Sequence, residues 1–205
     1  MSRTALLLAT TFAAMATSYP ALTPVPIKLL WNASASAPIG FYTVDFDGTF
    51  EVTDLVAVDA QEPLATFLAE RSYLPKGVPL LKRVFGASGQ TVCRSNLTIL
   101  VDGVEVGKAL DQDRVGRDLP IWQGCRRIHT GDVFLMNWQV RDSLDGRYFG
   151  LTSIDQIIGR AVPLWTDQEG NGRFEWRAPT RCARDQRRLH RQRSHRRSTI
   201  DRSLA

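Results

Sequence analysis

The chain has 205 residues, of which 43% are apolar and 23% charged, and this excludes a chain that is disordered throughout. Its net charge of +5 is located at one end, because residues 181–205 hold nine arginines against two aspartates, whereas the rest holds 17 basic and 19 acidic residues. The near-neutral remainder excludes a folded domain built around a nucleic-acid-binding face.

The N-terminal segment 1–27 predicts a signal peptide or a membrane anchor. It carries no charge between Arg3 and Lys28, and residues 5–16 (ALLLATTFAAMA) are apolar. Ala14-Met15-Ala16 has the small–x–small form of a cleavage site. The uncharged run is also long enough to span a bilayer uncleaved, although three prolines interrupt its second half: Pro20, Pro24 and Pro26. Both alternatives address the chain to a membrane and place the rest outside the cytoplasm.

The stretch WNASASAPIGFY at 31–42 predicts a rigid loop of small, hydroxyl-bearing residues. Alternating alanine and serine provide no buried face, and Pro38 and Gly40 stop regular strand pairing. The aromatic residues that flank this loop, Trp31, Phe41 and Tyr42, either face a lipid surface or pack in the core.

From residue 39 onward the pattern is mainly that of β-strands, and it predicts one mainly β domain over 28–178, a bent barrel or sheet. Asp102-Gly103 has the composition of a tight hairpin turn. One helix is predicted over 63–74 from its apolar spacing, so the domain carries one or two short helices. The predicted strands are short and rich in β-branched and aromatic residues: 41–46, 51–60, 79–86, 98–106, 132–138 and 160–166.

The three cysteines fit no metal-binding spacing, so no metal site is predicted. Cys93 and Cys125 lie in the domain, and Cys182 begins the C-terminal tail. In an exported protein Cys93 and Cys125 are candidates for a disulfide that contributes about 3 kcal/mol. The alternative is a pair of buried thiols.

The segment 179–205 has little apolar content and many like charges, which predicts a disordered, Arg-rich tail. We expect no specific nucleic acid partner for it. Non-specific contact with anionic lipid headgroups or DNA is the alternative, because arginine runs bind phosphate.

A serine nucleophile needs a base, and the domain contains one histidine, His129, in a predicted turn. The other documented base is a lysine whose amine is neutral, which burial favours. Lys82 lies within the apolar strand VPLLKRVFG, with Arg83 expected on the opposite face. Lys28, Lys76 and Lys108 lie beside the N-terminal segment, in a turn and at a strand end. A solvated Lys82 remains the alternative from composition alone.

Three motifs in order resemble the bacterial type I signal peptidases: SASAP at 34–38, LKRVFGASG at 81–89 and RDSLDGRYFG at 141–150. The form N-x-S-x-S-x-P-x-G-x-Y at 32–42 resembles the conjugative-transfer branch, the TraF peptidases of plasmid transfer systems. The resemblance covers about residues 28–165 and includes GDVFLMN at 131–137. It implies a signal peptidase-like, mainly β fold with a Ser-Lys dyad.

The resemblance implies roles for individual residues. Ser36 would be the nucleophile and Lys82 its general base. The Ser34 hydroxyl and the Ser36 backbone N–H would form the oxyanion hole. Asp145, paired with Arg147, would support the dyad; Asp142, three residues earlier, competes for this role.

The resemblance also implies a function. We expect a membrane-associated serine endopeptidase that processes, and in some systems circularises, a TrbC-like conjugative pilin precursor. It would act in the periplasm, at the outer face of the inner membrane, without a cofactor, and other conjugation-system proteins could be partners. Gly146, and Ala37 with the neighbouring Pro38, depart from the pattern of housekeeping enzymes and favour the conjugative branch. The alternatives are a general type I signal peptidase, a self-cleaving repressor-type protease, against which the export signal argues, and a non-enzymatic component of the conjugation channel.

Overall fold

The computed structural model describes residues 3–22, 26–46 and 48–179. Its first element, α1 (Arg3–Leu22), covers most of the predicted leader or anchor. Among the helices in the described part of the chain, none is long and apolar enough to cross a membrane. The predicted basic tail lies outside the described residues from residue 180 onward.

The domain is built on an eight-stranded, antiparallel sheet, which confirms the prediction of a mainly β fold. The strand order is β1-β2-β11-β3-β4-β9-β10, and β12 pairs with β11. The bounds are β1 Leu29–Asn32, β2 Ile39–Asp45, β3 Leu55–Val58, β4 Leu80–Gly86, β9 Asp132–Leu135, β10 Leu151–Ser153, β11 Ile157–Asp167 and β12 Glu175–Trp176.

A second sheet has four strands in the order β7-β6-β5-β8. They are β5 Thr91–Ser95, β6 Thr98–Val101, β7 Val104–Lys108 and β8 Gly124–Arg127. Asp102 and Gly103 join β6 to β7 with positive φ angles of 50° and 79°, as the predicted hairpin turn requires. Cys93 and Cys125 are directly opposite each other on β5 and β8 and form a disulfide.

Two short helices complete the domain, α2 (Leu64–Glu70) and α3 (Gly146–Phe149), together with a 3₁₀ turn at Ile154–Gln156. The predicted helix at 63–74 is therefore shorter than expected, because Ser72 adopts a positive φ of 57°. The buried cores lie between these elements. One core packs β1, β2, β3, β4 and β11 together around Tyr42, Leu55 and Leu81.

The residues that flank the predicted loop separate onto two faces of the sheet. Tyr42 is fully buried, and its hydroxyl donates to the Pro38 carbonyl at 2.6 Å. Of the two alternatives for Tyr42, packing in the core is therefore the correct one, because strand alternation turns its side chain away from that of Phe41. Trp31 pairs with Phe41 and Phe41 with Trp165, so these three form an aromatic row on the outer face.

Gly40 fixes the junction between the loop and β2. It has a φ of 143°, and a Cβ there would lie 2.2 Å from the Trp165 carbonyl oxygen. The backbones of β2 and β11 can approach this closely only because the residue is glycine. The glycine of the N-x-S-x-S-x-P-x-G pattern thus anchors the loop to the sheet.

Candidate active site

The serine loop, residues 33–38, connects β1 to β2 and is held by one buried amide, Asn32. Asn32 Nδ2 donates to the carbonyls of Ser34 at 2.8 Å, Ala37 at 3.1 Å and Pro38 at 3.0 Å. Its Oδ1 accepts from the Ser34 N–H at 3.1 Å. These hydrogen bonds satisfy backbone groups of a loop that pairs with no strand, and they fix the conformation of the loop.

Within this loop the two serine side chains lie together. Ser34 Oγ and Ser36 Oγ are 3.0 Å apart, and the Ser36 N–H donates to Ser34 Oγ at 3.3 Å. Ser34 is exposed and Ser36 is half-buried. The hydroxyl and the backbone N–H that the sequence analysis assigns to an oxyanion hole are therefore adjacent and close to the surface.

Lys82 lies on β4 and is buried, with 4% of its surface exposed. Its Nζ donates to Ser143 Oγ at 2.9 Å. Burial lowers the pKa of Lys82 to about 8; the Asp145 carboxylate opposes this shift, and the Arg147 guanidinium adds to it. The alternative of a solvated lysine is therefore wrong, and about a tenth of such an amine is neutral at pH 7.

Asp145 and Arg147 form a buried ion pair behind Lys82. Arg147 Nε lies 2.9 Å from Asp145 Oδ1, and the two side chains are 2% and 0% exposed. Asp145 Oδ1 also accepts from the Arg147 N–H, so that Asp145 is the N-cap residue of α3. The Arg147 guanidinium donates to the carbonyls of Val140, Arg141 and Ser143. The pair therefore shapes the loop that carries Ser143.

Asp142 has a different environment from Asp145. It pairs with Arg114 at the surface, where the two side chains are 30% and 84% exposed. Of the two aspartates that compete for the supporting role, Asp145 is the one that contacts the loop behind Lys82. His129 is exposed in the turn before β9.

Ser36 and Lys82 line the same cavity, which we call the main groove. Its volume is about 380 Å³. Its wall combines aliphatic and charged side chains. The aliphatic ones include Leu68, Leu74, Leu80, Leu110, Val115 and Leu144, and the charged ones include Asp113, Arg114, Arg117 and Asp142. A second cavity of about 230 Å³ also includes Ser36, and its wall includes Arg83, Asn137 and Trp138. The serine thus stands where two cavities meet.

Ser143 was not predicted as a site residue from the sequence. This side chain is 3% exposed and is the hydrogen-bond partner of the Lys82 amine. It stands in the quoted motif RDSLDGR, but a serine in a polar loop is ordinary, and nothing in the pattern indicates that it meets a lysine 61 residues earlier. Among the described residues, no group of three or more His, Cys, Asp or Glu side chains could hold a metal ion.

Comparisons with known proteins give a family model, a curated relative and a solved structure. A family model described as "Signal peptidase, peptidase S26" matches residues 2–165. The plasmid transfer protein TraF of Escherichia coli is 27% identical over 151 residues, 69% of this chain and 78% of that protein. A crystal structure of a signal peptidase I from Enterococcus faecalis is 18% identical and has a TM-score of 0.32, over 55% of this chain and 96% of that chain.

Proposed function

The chain belongs to the signal peptidase S26 family, and from this premise we propose that it is a serine endopeptidase in which Ser36 is the nucleophile and Lys82 the general base. The observation that carries the proposal is a serine and a buried lysine of lowered pKa on the wall of one groove. A serine hydroxyl is a weak nucleophile until a base takes its proton, and a neutral lysine amine can do so.

The first half of the reaction forms an ester. Ser36 Oγ attacks the carbonyl carbon of the scissile peptide while the neutral Lys82 amine takes the hydroxyl proton. The tetrahedral intermediate collapses, the peptide C–N bond breaks, and the leaving amine takes the proton back from the Lys82 ammonium. Ser143, whose Oγ is 2.9 Å from Nζ, would keep the amine in place through both transfers.

The oxyanion of the intermediate needs hydrogen-bond donors near the substrate carbon that is bonded to Ser36 Oγ. The Ser36 N–H and the Ser34 hydroxyl are adjacent, and in the free protein they bond to each other at 3.3 Å. Substrate would exchange that bond for two bonds to the oxyanion. One such donor typically contributes about 3–4 kcal/mol of transition-state stabilisation.

The second half of the reaction releases the acyl group. Lys82 takes a proton from a water, whose oxygen attacks the ester, and Ser36 Oγ leaves with that proton. If the amino terminus of the acyl chain attacks instead of water, the product is a circular peptide with one new peptide bond. The same residues serve both outcomes, and the attacking group decides between them.

We propose the conjugative pilin precursor as the substrate, in the periplasm at the outer face of the inner membrane. The likeness to a plasmid transfer protein supports this, as do the aliphatic side chains in the wall of the main groove, which suit apolar residues of a precursor. The outer face of the sheet supports the membrane site. It exposes an aromatic surface, defined as Trp31, Phe41, Trp165, Phe174 and Trp176, of residue types that favour the lipid–water interface.

The experiment incubates the purified full chain with the pilin precursor of the same transfer system in detergent micelles, and mass spectrometry reads the products. Ser36→Ala and Lys82→Ala are expected to stop processing. Ser88→Ala and Lys108→Ala, which change an exposed serine and an exposed lysine elsewhere, are the matched controls and should process normally. A circular product would be lighter than the linear one by one water.

Other outcomes identify the alternatives. Normal processing by Ser36→Ala would remove the peptidase proposal and favour a non-enzymatic component of the conjugation channel. Normal processing by Lys82→Ala would remove the dyad and make His129 the next base to test. Cleavage of housekeeping precursors with equal efficiency would favour a general signal peptidase.

A further inference from the structure

Asn137 connects the three segments that the proposed mechanism uses. It lies two residues after the end of β9, is 4% exposed, and is the last residue of the motif GDVFLMN. Its Nδ2 donates to the Ser36 carbonyl at 2.8 Å. Its backbone N–H donates to Asp145 Oδ2 at 3.0 Å. One residue thus bonds to the nucleophile's own backbone and to the supporting carboxylate.

The same side chain also bonds to the backbone of both residues next to Lys82 on β4. Asn137 Oδ1 accepts from the Arg83 N–H at 3.0 Å, and its Nδ2 donates to the Leu81 carbonyl at 3.1 Å. The Arg83 carbonyl accepts from the Met136 N–H, so backbone pairing between β9 and β4 reaches this point. The Asn137 amide then continues the pairing in place of a backbone peptide group. An amide can do this because it donates and accepts.

We propose that Asn137 is a positioning residue, whose side-chain amide sets the distance between the Ser36 loop and the Lys82 strand. The inference rests on the proposed function and deepens it. The loop on both sides of Ser36 is held by the Asn32 side chain, which donates to the carbonyls of Ser34 and Ala37. Asn137 is the described side chain that bonds to the Ser36 backbone and to the peptide groups on both sides of Lys82.

The chemistry of the amide makes the proposal specific. Alanine would remove three side-chain hydrogen bonds and leave space in which water could reach Lys82. Aspartate has nearly the same shape, but its carboxylate cannot donate to the Ser36 and Leu81 carbonyls and would repel them. Both changes favour the charged amine, one by solvation and one by attraction, so both raise the pKa of Lys82. The charged groups that already act on Lys82 are Asp145 and Arg147.

The test compares wild type, Asn137→Ala and Asn137→Asp in two assays. In pilin-precursor processing, kcat should fall about 10²-fold in both variants, with KM nearly unchanged, because the misplaced groups react poorly after binding. In the second assay, NMR of ε-¹³C-labelled lysine follows the titration of the four lysine amines of the chain, with Lys82→Met assigning the signal. The Lys82 midpoint should move upward in both variants.

Val133→Ala is the matched control, because Val133 is buried on β9 in a separate core with Val56 and Val84. It should lower the melting temperature without changing kcat or the Lys82 midpoint. Wild-type kcat or an unchanged Lys82 midpoint in Asn137→Ala would overturn the inference. The titration needs no substrate, so it decides the role of Asn137 at Lys82 even if Ser36→Ala processes normally and the peptidase proposal fails.

Discussion

The serine loop and the surroundings of Lys82 line one groove but are held in opposite ways. The serine loop is near the surface, and much of its support comes from Asn32, within six residues of every carbonyl it binds. Lys82 is buried, and its hydrogen-bond partner Ser143 is 61 residues away in the sequence. The loop that carries Ser143 is held by Arg147, which is paired with Asp145. The loop conformation around the nucleophile therefore depends largely on local hydrogen bonds, with Asn137 as its tertiary contact to β4, whereas the pKa of the base depends on tertiary packing.

The serine loop and the surroundings of Lys82 should therefore respond differently to substitution. A change in the serine loop leaves the core intact and should affect activity alone. A change around Lys82 uncovers or unpairs buried charge, so it should affect stability and pKa together. Each of the following variants tests one side of this contrast.

The largest effect is expected from Arg147→Met. The substitution leaves the Asp145 carboxylate buried without its cation, so the free energy of unfolding should fall by about 3–5 kcal/mol. Arg114→Met breaks the exposed pair with Asp142 and is the matched control, with an expected loss of about 1 kcal/mol or less. Denaturant unfolding measures both. Equal losses in the free energy of unfolding would mean that the buried Asp145–Arg147 pair contributes no more to stability than the exposed Asp142–Arg114 pair.

Ser34→Ala tests the other side. It removes a hydroxyl beside Ser36, and kcat for precursor processing should fall by about 10²–10³-fold, as expected for one oxyanion donor. The melting temperature should stay the same, because the side chain is exposed. Ser34→Thr keeps the hydroxyl and should retain most of the activity. A loss in the free energy of unfolding as large as that of Arg147→Met would mean that the serine loop is as important for stability as the surroundings of Lys82.

The same contrast explains how much of the site could be predicted from the sequence. Ser36 and Lys82 stand out locally, one in a loop of small residues and the other as a charge in an apolar strand. Asp145 and Arg147 are two residues apart, so their pairing was also predictable. Ser143 and Asn137 are ordinary polar residues in the chain, and their partners lie on segments that only the folded sheet brings near.

The fold shows the same limit. Strands with alternating or β-branched residues, such as β2, β4 and β11, were predicted within a few residues. The strand β8 (GCRR) was missed because all four of its residues are exposed and it has no apolar pattern. Tyr42 and Phe41 were grouped together by composition, although alternation along β2 sends them to opposite faces.

Lys82→Met should stabilise the protein at pH 7. The native state lowers the pKa of Lys82 from 10.5 to about 8, which corresponds to about 3 kcal/mol of destabilisation at neutral pH. Loss of the hydrogen bond to Ser143 offsets about 1 kcal/mol of this, so the variant should be more stable than wild type by about 2 kcal/mol. Between pH 8 and 10.5 the unfolded state binds the additional proton, so wild-type stability rises with pH relative to the variant.

Denaturant unfolding at a series of pH values measures this gap, which should be widest at pH 7 and should narrow as pH rises through the lowered pKa. The exposed Lys108, changed to methionine, is the control and should show no such dependence. A gap that is constant with pH would mean that Lys82 carries an ordinary pKa, and the contrast with the exposed serine loop would disappear.

The smallest effect is expected from Ser143→Ala. The buried hydroxyl holds the Lys82 amine through one hydrogen bond of 2.9 Å, so its loss should lower kcat about 5-fold, in line with about 1 kcal/mol for one bond. Ser143→Thr keeps the hydroxyl and should retain more activity than alanine. Because Arg147 binds the Ser143 carbonyl rather than its side chain, the loop should keep its shape, and the free energy of unfolding should fall by about 1 kcal/mol as the buried Lys82 amine loses its partner. A loss of kcat as large as in Lys82→Ala would mean that Ser143 takes part in the proton transfer itself rather than in holding the amine.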